Sequence, residues 1–347
     1  MSKLVVVSVG PATSIQDAGR FGAQRYGLTT SGAMDRVSLA VANCVTGNSP
    51  FSAAIEIGPL GASFTARDGA IRVALAGAVR TADIAGSALP LNETAIVAEG
   101  ETLKLGTARN GVFSYLAVEG GIAGEPVFGS LSVNARAGLG SPYPRALQAG
   151  DELAVGTAQL VSHERAIDSP DWPKFAIRVV MGPQDDEFGA ACDVLLSSEW
   201  RISSTSDRMG YRLEGPKIAH AGGHNIVSDG AVHGSIQVPG NGQPIVLMAD
   251  HGTTGGYPKI ATVISADLGR FAQAQAGSAI RFEALGVEEA QIEARKMAEY
   301  LRSLPGRVHA AGGSAFNLVE LQTANVAGVA VNAIDTTTWQ TRIVGEP

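Results

Sequence analysis

The stretch His233–Lys259, HGSIQVPGNGQPIVLMADHGTTGGYPK, combines two strand-like runs with a loop rich in glycine and hydroxyl groups. Its first run, 235–238, alternates polar and apolar residues with the period of two that is typical of a half-buried strand. At 239–242, glycine and asparagine tolerate the positive φ that a tight turn needs. The second run, 244–249, is apolar and of strand length. The stretch therefore predicts two strands joined by a tight turn and followed by an exposed loop.

The glycine-rich loop at 252–259 carries the first candidate site residues, Thr253, Thr254, Tyr257 and Lys259. Glycine-rich loops let backbone N–H groups approach an anion closely, and a proline before the lysine fixes the backbone that carries its ammonium. A ligand loop and a turn between barrel strands fit this composition equally. The spacing differs from a GxxxxGK[ST] phosphate loop, so the string is not an ATP motif.

Two neighbouring polar residues, Asp250 and His251, follow the apolar run directly. Because neighbours on a strand point to opposite faces, we expect only one of them to face a site. Asp250 is the better candidate for a general base, since it ends an apolar run. An aspartate that bonds the amides of its own loop is an equally good interpretation.

A second dense stretch, SIQDAGRFGAQRYGLTTSGAMDRVSLAVANCVTGN, lies at residues 14–48. Apolar residues at near-helical spacing predict a helix over 34–45, with Ser31 or Gly32 as its cap. Arg20 lies close to an aspartate and a glycine, as Arg208 does in the second half of the chain. Such arginines either form a bidentate carboxylate clamp or are ion-paired residues of a barrel, and the sequence leaves both interpretations open.

Length and composition favour a β-rich protein of about two domains. The chain has 347 residues, 43 glycines and 5% aromatic residues, and its net charge of −7 comes without a basic patch, so nucleic acid is an unexpected partner. The two cysteines are isolated, and the four histidines at 220, 224, 233 and 251 lack the spacing of a ligand set, so we expect no metal site. The apolar runs are too short for a signal peptide or a membrane span, which predicts a cytoplasmic protein.

The pattern along the chain predicts three segments: residues 1–165, 175–285 and 286–347. The first two are series of short strands; examples are predicted at 3–9, 71–75, 94–97, 101–105, 112–118 and 177–181. After Leu285, apolar residues at i, i+3 and i+4 predict an amphipathic helix that ends at Pro305–Gly306. Because the strand patterns close before this helix, truncation after Leu285 is expected to leave both β units folded.

Two strings of residues carry a resemblance to a known family. QVPGNGQPIVLMADHGTTGGYPKIATVISADLGRFAQAQAG in the second half, and the QD-GR-G, SGAMD, AN and GN pattern of the first half, closely resemble biotin-dependent carboxyltransferases. That family includes urea amidolyase, "allophanate hydrolase subunit 2" proteins, the C subunit of 5-oxoprolinase and the Kip-type antagonist of a kinase inhibitor. This chain has Gly252 where the family string has glutamine. The resemblance covers about residues 4–285.

The resemblance implies a mainly β protein with two β-barrel subdomains, at least the second of them cyclophilin-like. It also implies a subunit of an ATP-dependent 5-oxoprolinase, which works with sibling subunits A and B, uses ATP with Mg²⁺, and opens the lactam of 5-oxo-L-proline to L-glutamate. Asp250 and Lys259 are the expected catalytic residues. The expected substrate-binding residues are Thr253, Thr254, Tyr257, Gln237, Arg20, Asp17 and Arg208.

Two other activities of the family stay open at this point. One is carboxyl transfer to urea or a similar amide, with biotin on a separate carrier and a separate biotin carboxylase. The other is a non-catalytic, Kip-like regulator that binds a kinase-inhibitor protein. If Lys259 stabilises a developing oxyanion, Lys259→Met should lower turnover by a factor of about 100 to 1000 while the melting temperature hardly changes.

Overall fold

The computed structural model describes residues 1–156, 163–169 and 176–311, and they form a mainly β protein. This confirms the predicted fold class. Part of the predicted linker around residue 170 and the tail after residue 311 lie outside the described residues. In the described part of the chain, no helix is both long and apolar enough to cross a membrane.

The first half is built from two sheets that enclose a common apolar core. The strands of these sheets are β1 Lys3–Val9, β2 Ser14–Gln16, β3 Ala54–Ile57, β4 Ala62–Arg67, β5 Ile71–Val79, β6 Ala82–Ile84, β7 Ser87–Ala88, β8 Thr94–Val97, β9 Thr102–Leu105, β10 Asn110–Val118 and β11 Glu152–Ala154; a further short strand, β12 Arg165–Ala166, lies outside them. One sheet has the order β11-β1-β4-β9-β6-β7 and the other β2-β3-β10-β5-β8. Their inward side chains form one buried cluster, which includes Phe64, Leu75 and Leu116. Two facing sheets, rather than a single sheet, therefore make up this half.

Helix α1, Arg36–Val45, lies between the two halves. Its cap is Asp35, whose Oδ1 accepts from Val37 N and Ser38 N at 3.1 Å each, so the predicted cap at Ser31 or Gly32 was wrong. Every residue of the helix except Arg36 is buried. One continuous core joins this helix to the strands of the second half, because apolar residues surround it on nearly all sides.

The second half forms a nearly closed eight-stranded sheet. Its strands are β13 Ile177–Met181, β14 Trp200–Ile202, β15 Gly210–Glu214, β17 Ser235–Gln237, β18 Ile245–Leu247, β20 Lys259–Val263, β21 Ala279–Ile280 and β22 Phe282–Ala284. The order is β21-β14-β15-β18-β17-β20-β13-β22. Only Arg281 separates the two edge strands along the chain, so the two edges of the sheet meet there. This is the barrel predicted for the second half; its cyclophilin-like character stays a prediction.

A small ribbon and the remaining helices complete the described residues. The ribbon pairs β16 Asp229–Gly230 with β19 Thr254–Gly255, and the helices are α2 Cys192–Ser197, α3 Leu268–Ala272 and α4 Val287–Ser303. Helix α4 packs Met297 and Leu301 on the core, and Leu304 just beyond it is fully buried. Strand β23, His309–Ala310, then pairs with β12 of the first half. The predicted third segment thus begins with residues that contact both halves, although its boundaries stay a prediction.

Candidate functional site

A pocket of about 330 Å³ opens where the two halves meet, and we call it the interdomain pocket. The first half contributes Arg20, Thr29 and Arg136 to its wall, and the second half contributes Asp250, His251 and Gly252. Its volume is in the range of pockets that hold small organic ligands. The polar side chains come from separate regions of the chain, so only the folded protein assembles them.

An ion-paired network fixes the second-half side of this pocket. Arg208 donates from Nε and Nη2 to the two carboxylate oxygens of Asp250, at 2.8 and 3.1 Å, and from Nη1 to Glu56 Oε1 at 2.5 Å. The other oxygen of Glu56 accepts from Tyr115 Oη at 2.7 Å and from Met34 N at 2.9 Å. Burial opposes the charge of Arg208, but the carboxylates of Asp250 and Glu56 outweigh it and raise the arginine pKa. Asp250 is therefore held in one orientation.

Asp250 and His251 both line the interdomain pocket, so the expectation that only one of them faces a site was wrong. The reason is local: both residues lie past the end of β18, in a turn closed by His251 N and Met248 O at 3.1 Å. Strand alternation does not apply to a turn. The carboxylate of Asp250 pairs with Arg208. A catalytic role for Asp250 stays a prediction.

His251 is a titratable pocket residue that the sequence interpretation left out of its candidate site. Its side chain is buried, its Nδ1 lies 2.6 Å from Gly252 O, and its Nε2 has no hydrogen-bond partner among the described residues. A proton on Nδ1 donates to the carbonyl, which leaves the lone pair of Nε2 as an unused acceptor. Burial lowers the pKa of His251, so the neutral form dominates near neutral pH. A neutral imidazole of this kind is suited to general-base chemistry.

Asp17 and Arg20, the first-half candidates, have different surroundings. Asp17 Oδ1 accepts from Gly19 N, Ser130 Oγ and Ser132 Oγ at 2.8, 2.7 and 2.5 Å, and its Oδ2 accepts from Leu131 N at 2.7 Å. These bonds tie the 17–20 loop to the 130–132 segment. Arg20 lies on the wall of the pocket and is almost fully buried. The structure thus brings Arg20 and Asp250 to one cavity, with Asp17 behind it.

Lys259 belongs to a second polar group, away from the interdomain pocket. Its Nζ lies 2.8 Å from Asp229 Oδ2, and Gln184 bonds both residues, accepting from Lys259 N at 3.0 Å and donating to Asp229 Oδ2 at 3.0 Å. The ammonium is buried, although a surface position is the more common one for lysine. Gln237 pairs with Lys259 in the sheet and is also buried.

Sheet register shows that the polar group around Lys259 and the interdomain pocket lie apart. Ile236 pairs with both Val246 and Ala261, and β18 and β20 run in the same direction because both are antiparallel to β17. Lys259 precedes Ala261, whereas Asp250 follows Val246. The two predicted catalytic residues therefore lie toward opposite ends of the sheet. A catalytic role for Lys259 stays a prediction and would belong to a second site.

The remaining loop candidates lie on the surface. Thr254 is exposed in the ribbon with Gly230, Tyr257 is exposed, and the carbonyl oxygen of Thr253 accepts from Ala231 N at 3.0 Å. Their predicted roles in substrate binding stay untested by this geometry.

The clustered histidines do not converge on one point. His220 Nε2 contacts Val238 O at 2.9 Å, and the ring of His251 lies 6.4 Å from that of His233. Over residues 1–156, 163–169 and 176–311, the structure has no group of three His, Cys, Asp or Glu side chains placed to hold a metal ion.

A match to a family model shows that the chain is a protein of the carboxyltransferase type. The family model for the carboxyltransferase domain, subdomains A and B, matches residues 26–284, and the chain belongs to this family. It is 38% identical to the C subunit of 5-oxoprolinase from Escherichia coli over 310 residues, which are 88% of this chain and 99% of that protein. The chain is thus similar, along nearly the whole length of that relative, to a named enzyme subunit.

Two solved structures have the same fold. TTHA0988 is 34% identical, with a TM-score of 0.74 over 82% of this chain and 55% of that one. The urea amidolyase of K. lactis is 27% identical, with a TM-score of 0.80 over 87% of this chain. The present chain spans only 20% of the K. lactis protein and about half of TTHA0988.

Proposed function

We propose that this chain is the C subunit of an ATP-dependent 5-oxoprolinase, which converts 5-oxo-L-proline to L-glutamate together with subunits A and B. ATP and Mg²⁺ would be bound by the complex. The near full-length similarity to the E. coli protein supports the proposal. The observation that carries it is the position of Asp250 and His251 on the wall of one small pocket, the first ion-paired and the second with an unused acceptor.

Opening a lactam needs an activated carbonyl and well-placed proton carriers. Transfer of the γ-phosphoryl group of ATP to the lactam oxygen would release ADP and make the ring carbon more electrophilic. Water then adds to that carbon and loses a proton to a base. The carbon–nitrogen bond breaks, the nitrogen takes up a proton to become the amine of glutamate, and the carbon is left as an acyl phosphate. A second water then hydrolyses the acyl phosphate to the side-chain carboxylate of glutamate and free phosphate. The interdomain pocket would have to orient the ring and accept the proton of the water.

The pocket residues fit these two tasks. His251 Nε2 is buried without a partner among the described residues, and its neutral imidazole can accept the proton of the attacking water. Asp250 is fixed by two bonds from Arg208, so its carboxylate can accept a hydrogen bond from the lactam N–H without reorienting. His251 would therefore be the base and Asp250 the residue that orients the ring.

Reconstitution with subunits A and B tests this proposal. The complex should form glutamate and ADP from 5-oxo-L-proline, whereas the single chain should be inactive. His251→Asn retains a donor near the Nδ1 position but removes Nε2, and turnover should fall by a factor of about 100 to 10,000 with little change in melting temperature. His224→Asn, at an exposed histidine, is the matched control. Full ATP-dependent activity of the purified single chain, or normal turnover of His251→Asn, would refute the proposal.

Carboxyl transfer to urea or a similar amide is the second candidate, because the K. lactis urea amidolyase superimposes on most of the chain. Biotin would then arrive on a separate carrier protein. Turnover that needs a biotinylated partner and stops when avidin is added would favour this activity. Turnover of 5-oxo-L-proline that ignores avidin would exclude it for the reconstituted complex.

A further inference from the structure

Arg20 is a buried arginine with unused hydrogen-bond donors. Its side chain lines the interdomain pocket and is 1% exposed. Nη2 donates to Ser132 O, but Nε and Nη1 have no partner among the described residues. The backbone that carries it is fixed: Arg20 N donates to Thr30 O at 2.8 Å, and a Cβ on the preceding Gly19 would come within 2.7 Å of the same oxygen. The backbone at Arg20 is therefore fixed, and Ser132 O holds one end of the guanidinium.

Arg80 is a structural, buried arginine of the same fold, and its hydrogen bonds can be compared with those of Arg20. Like Arg20 it is nearly inaccessible to solvent, at 6% exposed, but its Nε, Nη1 and Nη2 all donate. The acceptors are Ser114 Oγ and the carbonyl oxygens of Leu60, Gly106, Ile57 and Gly58. Buried guanidinium groups are normally satisfied in this way, because unused charged donors are costly. Arg20 departs from that pattern.

The two carboxylates that interact electrostatically with Arg20, those of Asp17 and Asp250, already accept hydrogen bonds from other groups. Asp17 accepts four hydrogen bonds, from the backbone N–H groups of Gly19 and Leu131 and from the hydroxyl groups of two serines, Ser130 and Ser132. Both oxygens of Asp250 accept from Arg208. Burial lowers the pKa of Arg20, while Asp17 and Asp250 oppose that effect, so the group stays a cation in need of an acceptor. The missing acceptor must enter through the pocket.

We propose that Arg20 anchors the carboxylate group of the substrate, and thereby makes the pocket selective for lactams that carry an acid. This rests on the proposed function, in which that group is the ring carboxylate of 5-oxo-L-proline. Carboxylate oxygens form short, charge-assisted bonds with a guanidinium. The exposed Arg136 at the same pocket adds a second positive charge toward the incoming anion.

A carboxylate anchor at Arg20 would also set the selectivity of the pocket. A neutral amide such as urea or pyrrolidin-2-one would occupy the pocket but leave the Arg20 donors unpaired. A site with buried polar groups discriminates strongly against a ligand that lacks their partner, because the unpaired groups stay desolvated. The pocket should therefore prefer the lactam acid to the plain lactam.

Titration calorimetry with the full chain and with the assembled complex tests the anchor. The wild type should bind 5-oxo-L-proline about 10 to 100 times more tightly than pyrrolidin-2-one. Arg20→Met should remove that preference and leave the affinity for pyrrolidin-2-one within about twofold. Arg20→Lys, which keeps the charge, should retain part of it. Arg201→Met, at an exposed arginine, is the control.

Melting curves separate an anchor from a structural arginine. Without ligand, Arg20→Met should melt at or above the wild-type temperature, since it removes unsatisfied buried donors, whereas Arg80→Met should melt lower. Unchanged binding of 5-oxo-L-proline by Arg20→Met, a melting loss as large as that of Arg80→Met, or no binding of 5-oxo-L-proline by the wild type would overturn the anchor. Arg20-dependent binding without ATP-dependent turnover of the complex would instead refute the proposed function alone.

Discussion

Substitution of Arg208 by methionine should be among the most destabilising single changes in this protein. Arg208 belongs to the second half, whereas Glu56 and the carbonyl of Gly32 belong to the first, so its guanidinium joins the halves. Its side chain is 15% exposed, and those of Glu56 and Asp250 are 0% and 13% exposed. Methionine fills much of the same volume but leaves both carboxylates without their cation.

The expected loss is about 3–5 kcal/mol in the free energy of unfolding, the usual result of removing one partner of a buried pair. Two features place it near the lower end. Glu56 keeps its bonds from Tyr115 Oη and Met34 N, and Asp250 lies at a pocket where water can reach it. We therefore expect about 3 kcal/mol.

Urea denaturation followed by tryptophan fluorescence and circular dichroism measures this loss. The matched control is Arg201→Met, whose side chain is 61% exposed and which should stay within about 0.5 kcal/mol of the wild type. Adding Glu56→Gln to Arg208→Met should recover part of the loss, because the uncompensated charge is then absent. A loss below about 1 kcal/mol for Arg208→Met would refute the argument that this network holds the halves together.

Three further predictions concern other parts of the fold. Lys259→Met should leave the affinity for 5-oxo-L-proline within about twofold, because the ammonium and Asp250 lie toward opposite ends of the sheet. An undiminished turnover of the complex would contradict the predicted charge-stabilising role of Lys259. Truncation after Leu285 should lower the melting temperature, since burial of the Leu304 side chain alone stabilises the fold by about 1.5–3 kcal/mol. An unchanged melting curve would support the independent β units that the sequence predicts. Burial lowers the pKa of His233 to about 3, so the unfolded chain takes up a proton below about pH 6.5 that the folded chain does not. Stability should therefore fall as the pH drops from 6.5 toward 3, by about 2 kcal/mol at pH 5, and His233→Gln should reduce this pH dependence in urea titrations.

Much of the secondary structure follows from local pattern. The strands predicted at 3–9, 94–97 and 177–181 have the same bounds in the fold, and the amphipathic helix predicted after Leu285 is α4, Val287–Ser303. These elements are encoded by a periodicity of two or 3.6 and by adjacent glycine or proline residues, all within a few positions along the chain. The family strings also identify the carboxyltransferase class, which the family model confirms.

The site was only partly predictable, because its members are close in space and distant in sequence. Composition drew attention to the 252–259 loop, but sheet register separates Lys259 from Asp250. Pairing with Arg208, 42 positions away, fixes the carboxylate of Asp250, and no local pattern indicated this partner. His251 was missed because alternation along a strand was extended into a turn.

The β-rich class, the strands that local periodicity encodes and the family can all be read from the amino-acid sequence, since each depends on residues within short strings. Which polar groups meet depends on the folded chain. The two open arginine alternatives show this most directly: Arg208 is the ion-paired residue that joins the halves, and Arg20 has the unused donors at the pocket. No local pattern distinguishes them, because a guanidinium is satisfied or left unpaired by atoms that only long-range folding brings within hydrogen-bond distance.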